Sequence, residues 1–455
     1  MFVVFDFKFS PGIEKSKTEK FTFTYNPEVL DWLSPRFMYN PRYSWNRDLN
    51  TSEDATADIK SENDFSASFT LSFQKLIEKI YEPEKKTSSN SRSRNSRGRK
   101  SSNKDKQKFN FDIDQPHFKT ILEFVHEVSK KISSISISYK YSTKNNFSNI
   151  LANFYPSYKF KLGFEDNPFG DENISNYISN SGSIYTFTNI FNQELRFNTT
   201  LQVSNNLSIS NLEYKISLSA NNQSTTGYNE TKVYSYFPAG ATGVDGVPIF
   251  NWSINYRGIE KYGFLKNWFK TITLNHNYSG ERTETLAEGQ VQKIDYRRSF
   301  APLIGIKIIP KNSPLNINVN LNNTLNINNT GDQTERKTSE QINIKFDYRK
   351  DGGLQIPIFF LRDFEIENNV NLSLTMGYDK SKTDFSYVFT ENLSDFETTA
   401  FSNTFNIKPE ITYSFSKYID GNFYFNYSVT ETHTTGRKKQ TDLGFKIKIL
   451  FESFN

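Results

Sequence analysis

The sequence predicts an all-β fold, an antiparallel transmembrane β-barrel with about 14 to 18 strands in this chain. Three observations favour it. Apolar and polar residues alternate strictly in segments spread along all 455 residues. Only 36% of the residues are apolar, yet 16% are aromatic, with 42 Phe and 25 Tyr. No apolar run approaches the ~18 residues of a membrane-spanning helix, whereas a barrel strand needs apolar residues only at every second position.

The predicted strands are segments in which Ser, Thr, Asn, Lys or Asp separates successive apolar residues. In the first half they cover residues 3–9, 21–25, 65–73 and 135–141. In the second half they cover residues 195–203, 212–218, 250–256, 272–278, 315–321, 342–348, 370–378, 411–415, 423–429 and 443–451. Weaker candidates surround Phe37, Tyr158 and Phe385. Because no strand is apolar on both faces, the pattern excludes a parallel α/β core.

The connections between these strands are uneven in length. The dipeptide Asp420-Gly421 predicts a tight turn. Long polar connections are expected at residues 46–63, 82–117, 165–183 and 221–248. A mixture of turns and loops is typical of outer-membrane barrels, which place tight turns at one end and long loops at the other. Two short amphipathic helices are predicted at residues 74–81 and 118–128, and we expect them to pack on or beside the barrel.

Aromatic residues near the strand ends predict interfacial girdles, in which amphipathic rings lie at the depth of the lipid headgroups. The residues concerned are Tyr25, Tyr39, Trp45, Tyr141, Trp252, Trp268, Tyr278, Tyr348, Tyr378, Tyr427 and Phe451. A soluble β-sandwich with Tyr-rich exposed faces is the alternative, and it needs a second sheet to cover its apolar face.

The net charge of +5 comes from one segment. Residues 85–108 contain ten Lys or Arg and a single acid, Asp105, so the rest of the chain is slightly acidic. The segment is rich in Ser and Asn and has no aromatic residue, which favours a solvated, disordered loop over a nucleic-acid site. We therefore divide the chain into barrel strands with a first helix (1–82), a basic low-complexity loop (83–117), and a second helix followed by barrel strands (118–455).

No motif in the sequence predicts catalysis, so we expect no enzyme, no cofactor and no metal ion. Cys is absent, and the four His residues do not have the spacing of metal ligands. Asp166, Asp171 and Glu172 share a loop, but their spacing fits no known calcium loop. Gly240, Gly243 and Gly246 do not join a strand to a helix and predict only a flexible loop.

Several blocks of the second half resemble the SprA/Sov family, the outer-membrane translocon of the type IX secretion system, which is associated with gliding motility. The first is residues 251–259 (Asn-Trp-Ser-Ile-Asn-Tyr-Arg-Gly-Ile) followed by residues 264–278. The next are residues 298–306 (Arg-Ser-Phe-Ala-Pro-Leu-Ile-Gly-Ile) with the Asn-rich stripes of 315–327, and then residues 342–349 and 407–413. Residues 43–46 and 157–164 resemble the family more loosely. The match lies in the order of these blocks, from Trp252 onward.

This resemblance implies a very large single-chain barrel in the bacterial outer membrane, through which folded cargo proteins pass passively. It also implies a partner barrel in the outer membrane and a periplasmic plug protein. No secretion signal follows Met1, and the strands counted here are too few for such a barrel, so we expect this chain to be a segment of it. A complete porin or transporter of about 14 to 16 strands and a soluble β-rich surface adhesin are the alternatives.

Overall fold

The computed structural model shows an all-β chain built on one large antiparallel sheet of 17 strands. It describes residues 14–28, 30–48, 55–81, 116–170, 174–178, 185–223, 227–239, 245–331, 333–351, 354–355, 365–366, 368–387, 396–416 and 419–449. The prediction of an all-β antiparallel fold is confirmed. The predicted segments 3–9 and 83–115 lie outside the described residues.

The strands of the large sheet are mostly long. In the first half they are β1 (Ser16–Lys20), β2 (Phe23–Tyr25), β3 (Leu33–Arg47), β4 (Thr56–Leu71), β5 (Ile135–Leu151), β6 (Thr186–Gln202), β7 (Leu207–Gln223) and β8 (Gly227–Ser235). Two short strands, β9 (Phe237–Pro238) and β10 (Gly246–Val247), form a separate pair.

In the second half the strands of the large sheet are β11 (Asn251–Arg257), β12 (Phe269–Ala287), β13 (Gln290–Pro310), β14 (Leu315–Thr330), β15 (Gln333–Lys350), β18 (Val370–Ser386), β19 (Glu397–Ser416), β20 (Ile419–Thr432) and β21 (Gly436–Ile449). A second separate pair is formed by β16 (Leu354–Gln355) and β17 (Glu365–Ile366).

The sheet is a meander in which each long strand pairs with the next one along the chain. Two positions are each occupied by two short strands. β1 and β2 lie one after the other beside β3, and β8 and β11 lie one after the other between β7 and β12. The 17 strands therefore occupy fifteen positions. β4 pairs with β5, so the strands before and after the basic segment belong to one sheet.

Four α-helices accompany the sheet: α1 (Phe73–Ile80), α2 (Pro116–Ser129), α3 (Tyr158–Lys161) and α4 (Leu265–Trp268). The two predicted amphipathic helices are confirmed as α1 and α2. The Tyr81 hydroxyl donates to Glu123 of α2 at 3.2 Å, and the Tyr81 ring meets the His126 ring edge-on. Within the described residues, none of the helices has the length and apolar content needed to cross a membrane.

The prediction that turns and loops lie at opposite ends is wrong. We call the end where β12 turns into β13 and β14 into β15 the upper end, and the opposite end the lower end. Long connections leave the upper end at residues 48–55, 152–185 and 387–396, and leave the lower end at residues 72–134, 258–268 and 351–369. The basic segment therefore connects α1 to α2 along the chain, and both helices lie at the lower end of the sheet.

Four local predictions also differ from the structure. Asp420-Gly421 is not a turn, because β19 and β20 remain paired as far as Ser416 and Ile419, and both residues lie within β20. Tyr158 begins a helical turn, not a strand. The expected connection at residues 221–248 contains all of β8, and the one at residues 46–63 ends where β4 begins, at Thr56.

Candidate functional site: an apolar face and a polar face

The register of the strands divides the sheet into two faces, because residues opposite each other on neighbouring strands point to the same side. One row across β14, β15, β18, β19 and β20 consists of Leu321, Ile342, Tyr378, Phe405 and Val429. A parallel row nearer the lower end consists of Leu315, Tyr348, Leu372, Ile411 and Phe423. We define the apolar belt as these two rows, the two further rows that lie between them, and the residues of β21 that continue these rows.

The apolar belt has a sharp upper boundary. The next row above Tyr378 is entirely polar or charged, with Asn323, Glu340, Lys380, Asn403 and Glu431. On β18 apolar residues alternate from Val370, which is buried one row below the belt, to Tyr378, which is about 27 Å of strand at 3.4 Å per residue. A strand that crosses a bilayer at a tilt needs about 9–11 residues, and this stripe of nine residues is at the lower end of that range.

Apolar side chains of this belt are open to the surroundings. Leu443, Phe445 and Ile447 on β21 are 63%, 57% and 60% exposed. The belt continues across the first half of the sheet through the row Phe69, Ile137, Phe197 and Tyr214. Apart from the large sheet, the described residues form only the pairs β9–β10 and β16–β17. No second sheet in that part of the chain covers the belt, as a soluble sandwich would require.

The opposite face is mostly polar, with a few exceptions such as Met38, Ile190 and Tyr424. On β14 all eight residues of this face are Asn or Thr: Asn316, Asn318, Asn320, Asn322, Thr324, Asn326, Asn328 and Thr330. Ion pairs cross this face between strands and along them. Glu62 lies between Lys144 at 2.9 Å and Arg42 at 3.9 Å. Such a face is wetted readily, and its charges alternate in sign along the ladder.

The upper part of the apolar face is covered by the connection after β5. We call residues 152–170 the cap. Its Phe160 and Phe169 are buried against Trp45, Ile59 and Phe147 of the sheet, which are themselves buried. The Phe147 ring meets the Phe160 and Phe169 rings edge-on at 5.9 and 6.1 Å between centroids. The cap therefore supplies the sheet with a local core directly above the belt.

A buried charge pair fixes the cap to β1. The Lys161 ammonium group lies 3.0 Å from the Glu19 carboxylate, and their side chains are only 7% and 17% exposed. The same ammonium group lies over the rings of Tyr43 and Tyr158 at 5.0 and 4.8 Å. Burial alone raises the pKa of Glu19, but hydrogen bonds and charges from Lys161 and Lys17 outweigh it, so that the pKa is lowered.

The lowered pKa of Glu19 predicts that the cap loosens in acid. A group with a depressed pKa in the folded state contributes stability above its unfolded pKa, and this contribution is lost as the pH falls through the folded value. Hydrogen exchange of residues 152–170, corrected for the intrinsic rate, should therefore stay slow from pH 7 down to about pH 4 and rise below it. In the variant Glu19→Gln the protection should not depend on pH in this range. An equal pH dependence in both proteins would show that another group controls the cap.

A second segment, described at residues 236–239 and 245–250, leaves the sheet between β8 and β11, and its described residues pack on the apolar face. Tyr236 packs on Tyr296, and the Arg282 guanidinium lies 5.8 Å from both ring centroids. Gly280 forms hydrogen bonds with residues at both ends of the segment. Its carbonyl accepts from the Tyr236 amide at 3.0 Å, and its amide donates to the Asn251 side chain at 2.9 Å. A Cβ at Gly280 would overlap the Tyr236 carbonyl, so this crossing requires glycine.

The predicted aromatic girdle is only partly placed at the margins of the belt. Tyr348 and Tyr378 lie in its lowest and highest rows, and Trp268 is 70% exposed at the lower end. Trp45 and Tyr278 are wrong assignments, because both are only 2% exposed: Trp45 lies beneath the cap, and Tyr278 packs against Phe237. Phe451 lies outside the described residues. The polar composition of the loop expected at residues 165–183 did not predict that the cap would cover this part of the sheet.

The residues considered for metal binding are not brought together in the described part of the chain. Asp166 accepts a hydrogen bond from Asn145 at 3.1 Å, whereas Asp171 and Glu172 lie outside the described residues. His276 Nδ1 lies 2.7 Å from the Leu303 carbonyl, and its ring packs between Trp252 and Phe300. Among the described residues, no group of three His, Asp or Glu side chains could hold a metal ion.

Comparison with known proteins adds no relative. No protein-family description matches the chain, and no curated protein matches it. The two faces of the sheet therefore provide the basis for assigning a function.

Proposed function

We propose that this chain is a segment of the outer-membrane translocon barrel of type IX protein secretion, similar to the SprA/Sov family. In this proposal the apolar belt faces lipid, and the polar face lines a wide aqueous pore through which folded proteins pass. The pore is passive and not an enzyme, and it binds no nucleic acid. Its partners are the lipid bilayer, secreted cargo, a partner barrel in the outer membrane and a periplasmic plug protein.

One observation carries the membrane part of the proposal. The belt is an apolar surface four rows high, about 20 Å along β18 from Leu372 to Tyr378, bounded above by a charged row and backed by a face rich in Asn, Thr and ion pairs. A soluble protein rarely exposes so large an apolar surface. In a barrel that crosses a bilayer, the same arrangement places the apolar side chains in lipid and the alternate polar side chains in water.

The open edge of the sheet in the described residues supports a segment more than a complete porin. In the described residues, β21 pairs only with β20, and no pairing joins it to β1 or β2. A long edge strand with exposed apolar residues calls for a further strand beside it.

Reconstitution tests the membrane assignment and separates it from the alternatives. The chain should enter the detergent-rich phase in a phase separation and remain in vesicles after an alkaline carbonate wash. We expect no stable pores of uniform conductance from this chain alone. Such pores would favour a complete porin, and recovery from the aqueous phase would favour a soluble adhesin.

Site-specific photocrosslinking in a bacterium with type IX secretion tests the direction of the two faces. A crosslinker at Asn320, on the polar face, should trap secreted cargo proteins. A crosslinker at the adjacent Val319, in the apolar belt, should trap lipid and no cargo. Cargo adducts at Val319, or none at Asn320 in cells that secrete, would contradict the proposed translocation path.

A further inference from the structure

A cleft at the lower end of the sheet combines basic and apolar walls. It encloses about 330 Å³ between the start of β12 and the turn that joins β13 to β14. Lys270, Lys311 and Arg349 line one part of it. The only carboxylate in the lining is Asp351, which accepts from the Arg349 guanidinium at 3.2 Å. The lining therefore carries an excess of two positive charges.

The other part of this lower cleft is apolar. Ile309, Pro310 and Leu315 line it. Leu315 also belongs to the lowest row of the apolar belt, opposite Tyr348. By the register of the strands Ile309, Asn316 and Arg349 point to the polar face, so the cleft lies at the lower rim of the sheet, where the polar face meets the surface proposed to contact lipid. A ligand that fills it needs an anionic group next to an apolar chain.

Exposed aromatic residues lie next to the lower cleft. Tyr262, Phe264 and Trp268 are 57%, 73% and 70% exposed on the connection between β11 and β12. The Lys311 amide donates to the Trp268 carbonyl at 3.0 Å, which holds this connection beside the cleft. The Glu260 carboxylate accepts from the Ile272 amide at 2.9 Å and fixes its fold. Aromatic rings exposed in this way are typical of the depth of lipid headgroups.

We infer that the lower cleft binds an anionic glycerophospholipid. Its phosphate contacts Lys270, Lys311 and Arg349, and its acyl chains lie along Leu315 and the belt. Phe264 and Trp268 enter the headgroup layer beside it. The charge of the cleft complements an anionic headgroup, and long basic side chains at a membrane margin reach headgroups readily. This inference rests on the proposed function, because it requires the belt to be in a bilayer.

Lipid retention measures this selectivity. The purified chain is incubated in neutral detergent with equal amounts of phosphatidylglycerol and phosphatidylcholine, purified again, and its bound phospholipids are counted by mass spectrometry. The native chain should retain phosphatidylglycerol over phosphatidylcholine by about fivefold or more. The variant K270Q/K311Q/R349Q should bring the ratio close to one. An unchanged ratio in that variant would overturn the inference.

Two controls separate the lower cleft from general charge and from a free-phosphate site. The variant R437Q/K438Q/K439Q removes three exposed cations at the upper end and should leave the ratio unchanged. Inorganic phosphate at millimolar concentration should not displace phosphatidylglycerol. If it does displace the lipid, the cleft is a site for the ion and not for the phospholipid. The variant F264S/W268S should lower the total lipid retained with little effect on the ratio.

Failure of this inference differs from failure of the proposed function. A chain that resists carbonate extraction from vesicles but retains both lipids equally would overturn only the lipid site. A chain that partitions into water and retains neither lipid would overturn both.

Discussion

Substituting Leu374 by Arg should destabilise the protein in a bilayer by about 2–4 kcal/mol, the cost of a basic residue at the midplane on the lipid side of a barrel. Leu374 lies in one of the two middle rows of the belt on β18, between Leu372 in the lowest row and Tyr378 in the highest. The measurement is urea unfolding of the chain reconstituted in phosphatidylcholine vesicles, followed by tryptophan fluorescence.

The matched control is the neighbouring Ser373→Arg on the polar face. Ser373 donates to Asp347 at 2.9 Å and lies opposite Glu410, so a new guanidinium there has two carboxylates as neighbours. We expect a change within about 1 kcal/mol, since ion pairs in water contribute little. If the two variants were equally stable, or if Leu374→Arg were the more stable, the belt would not face lipid.

Substituting Phe160 by Ala should release the cap, with a loss of about 3–5 kcal/mol for its docking. Phe160 is fully buried between the sheet and the cap, and its carbonyl accepts from Ser61 at 3.1 Å. The substitution leaves a cavity between the cap and the sheet, above the belt, and α3 is too short to fill it. Limited proteolysis should cut within residues 152–170 much faster than in the native chain, while the rest of the sheet stays intact.

Phe164→Ala is the control in the same connection. Phe164 is 69% exposed and stacks only on the Tyr39 ring at 6.1 Å. We expect no more than a small increase in cleavage. Equal cleavage of the two variants would mean that the cap is held by its backbone and by Lys161, not by the packing of Phe160.

The sequence was sufficient to predict the strands with strict alternation, because their signal is local, whereas β8 and β13 were not predicted. The alternation of residues 370–378 is imposed by water on one side and apolar surroundings on the other, and β18 follows it. The two-residue period also predicted a strand near Tyr158, and there it was wrong. Ser157 accepts from the Phe160 amide at 3.2 Å and Gly163 has a φ of 75°, so a helical turn begins and ends within seven residues.

Features that depend on contacts distant in the sequence could not be predicted. The cap packs on β3 and β4, which lie more than 90 residues earlier in the chain, as well as on the adjacent β5, and no local pattern predicts those contacts. Asp420-Gly421 has the composition of a turn, but glycine is needed at position 421 for close packing within the sheet. The rings of Phe415 and Phe445 lie so close to it that a larger residue would displace them.

The divided strand made of β8 and β11 bears on how the sheet assembles. Most strands pair with the next one along the chain, so most of the sheet can grow one hairpin at a time at a low cost in loop-closure entropy. β12 is different, because it must align with β8, β11 and β13 before its ladder is complete. β8 and β11 must therefore both be in place before the second half of the sheet can join the first.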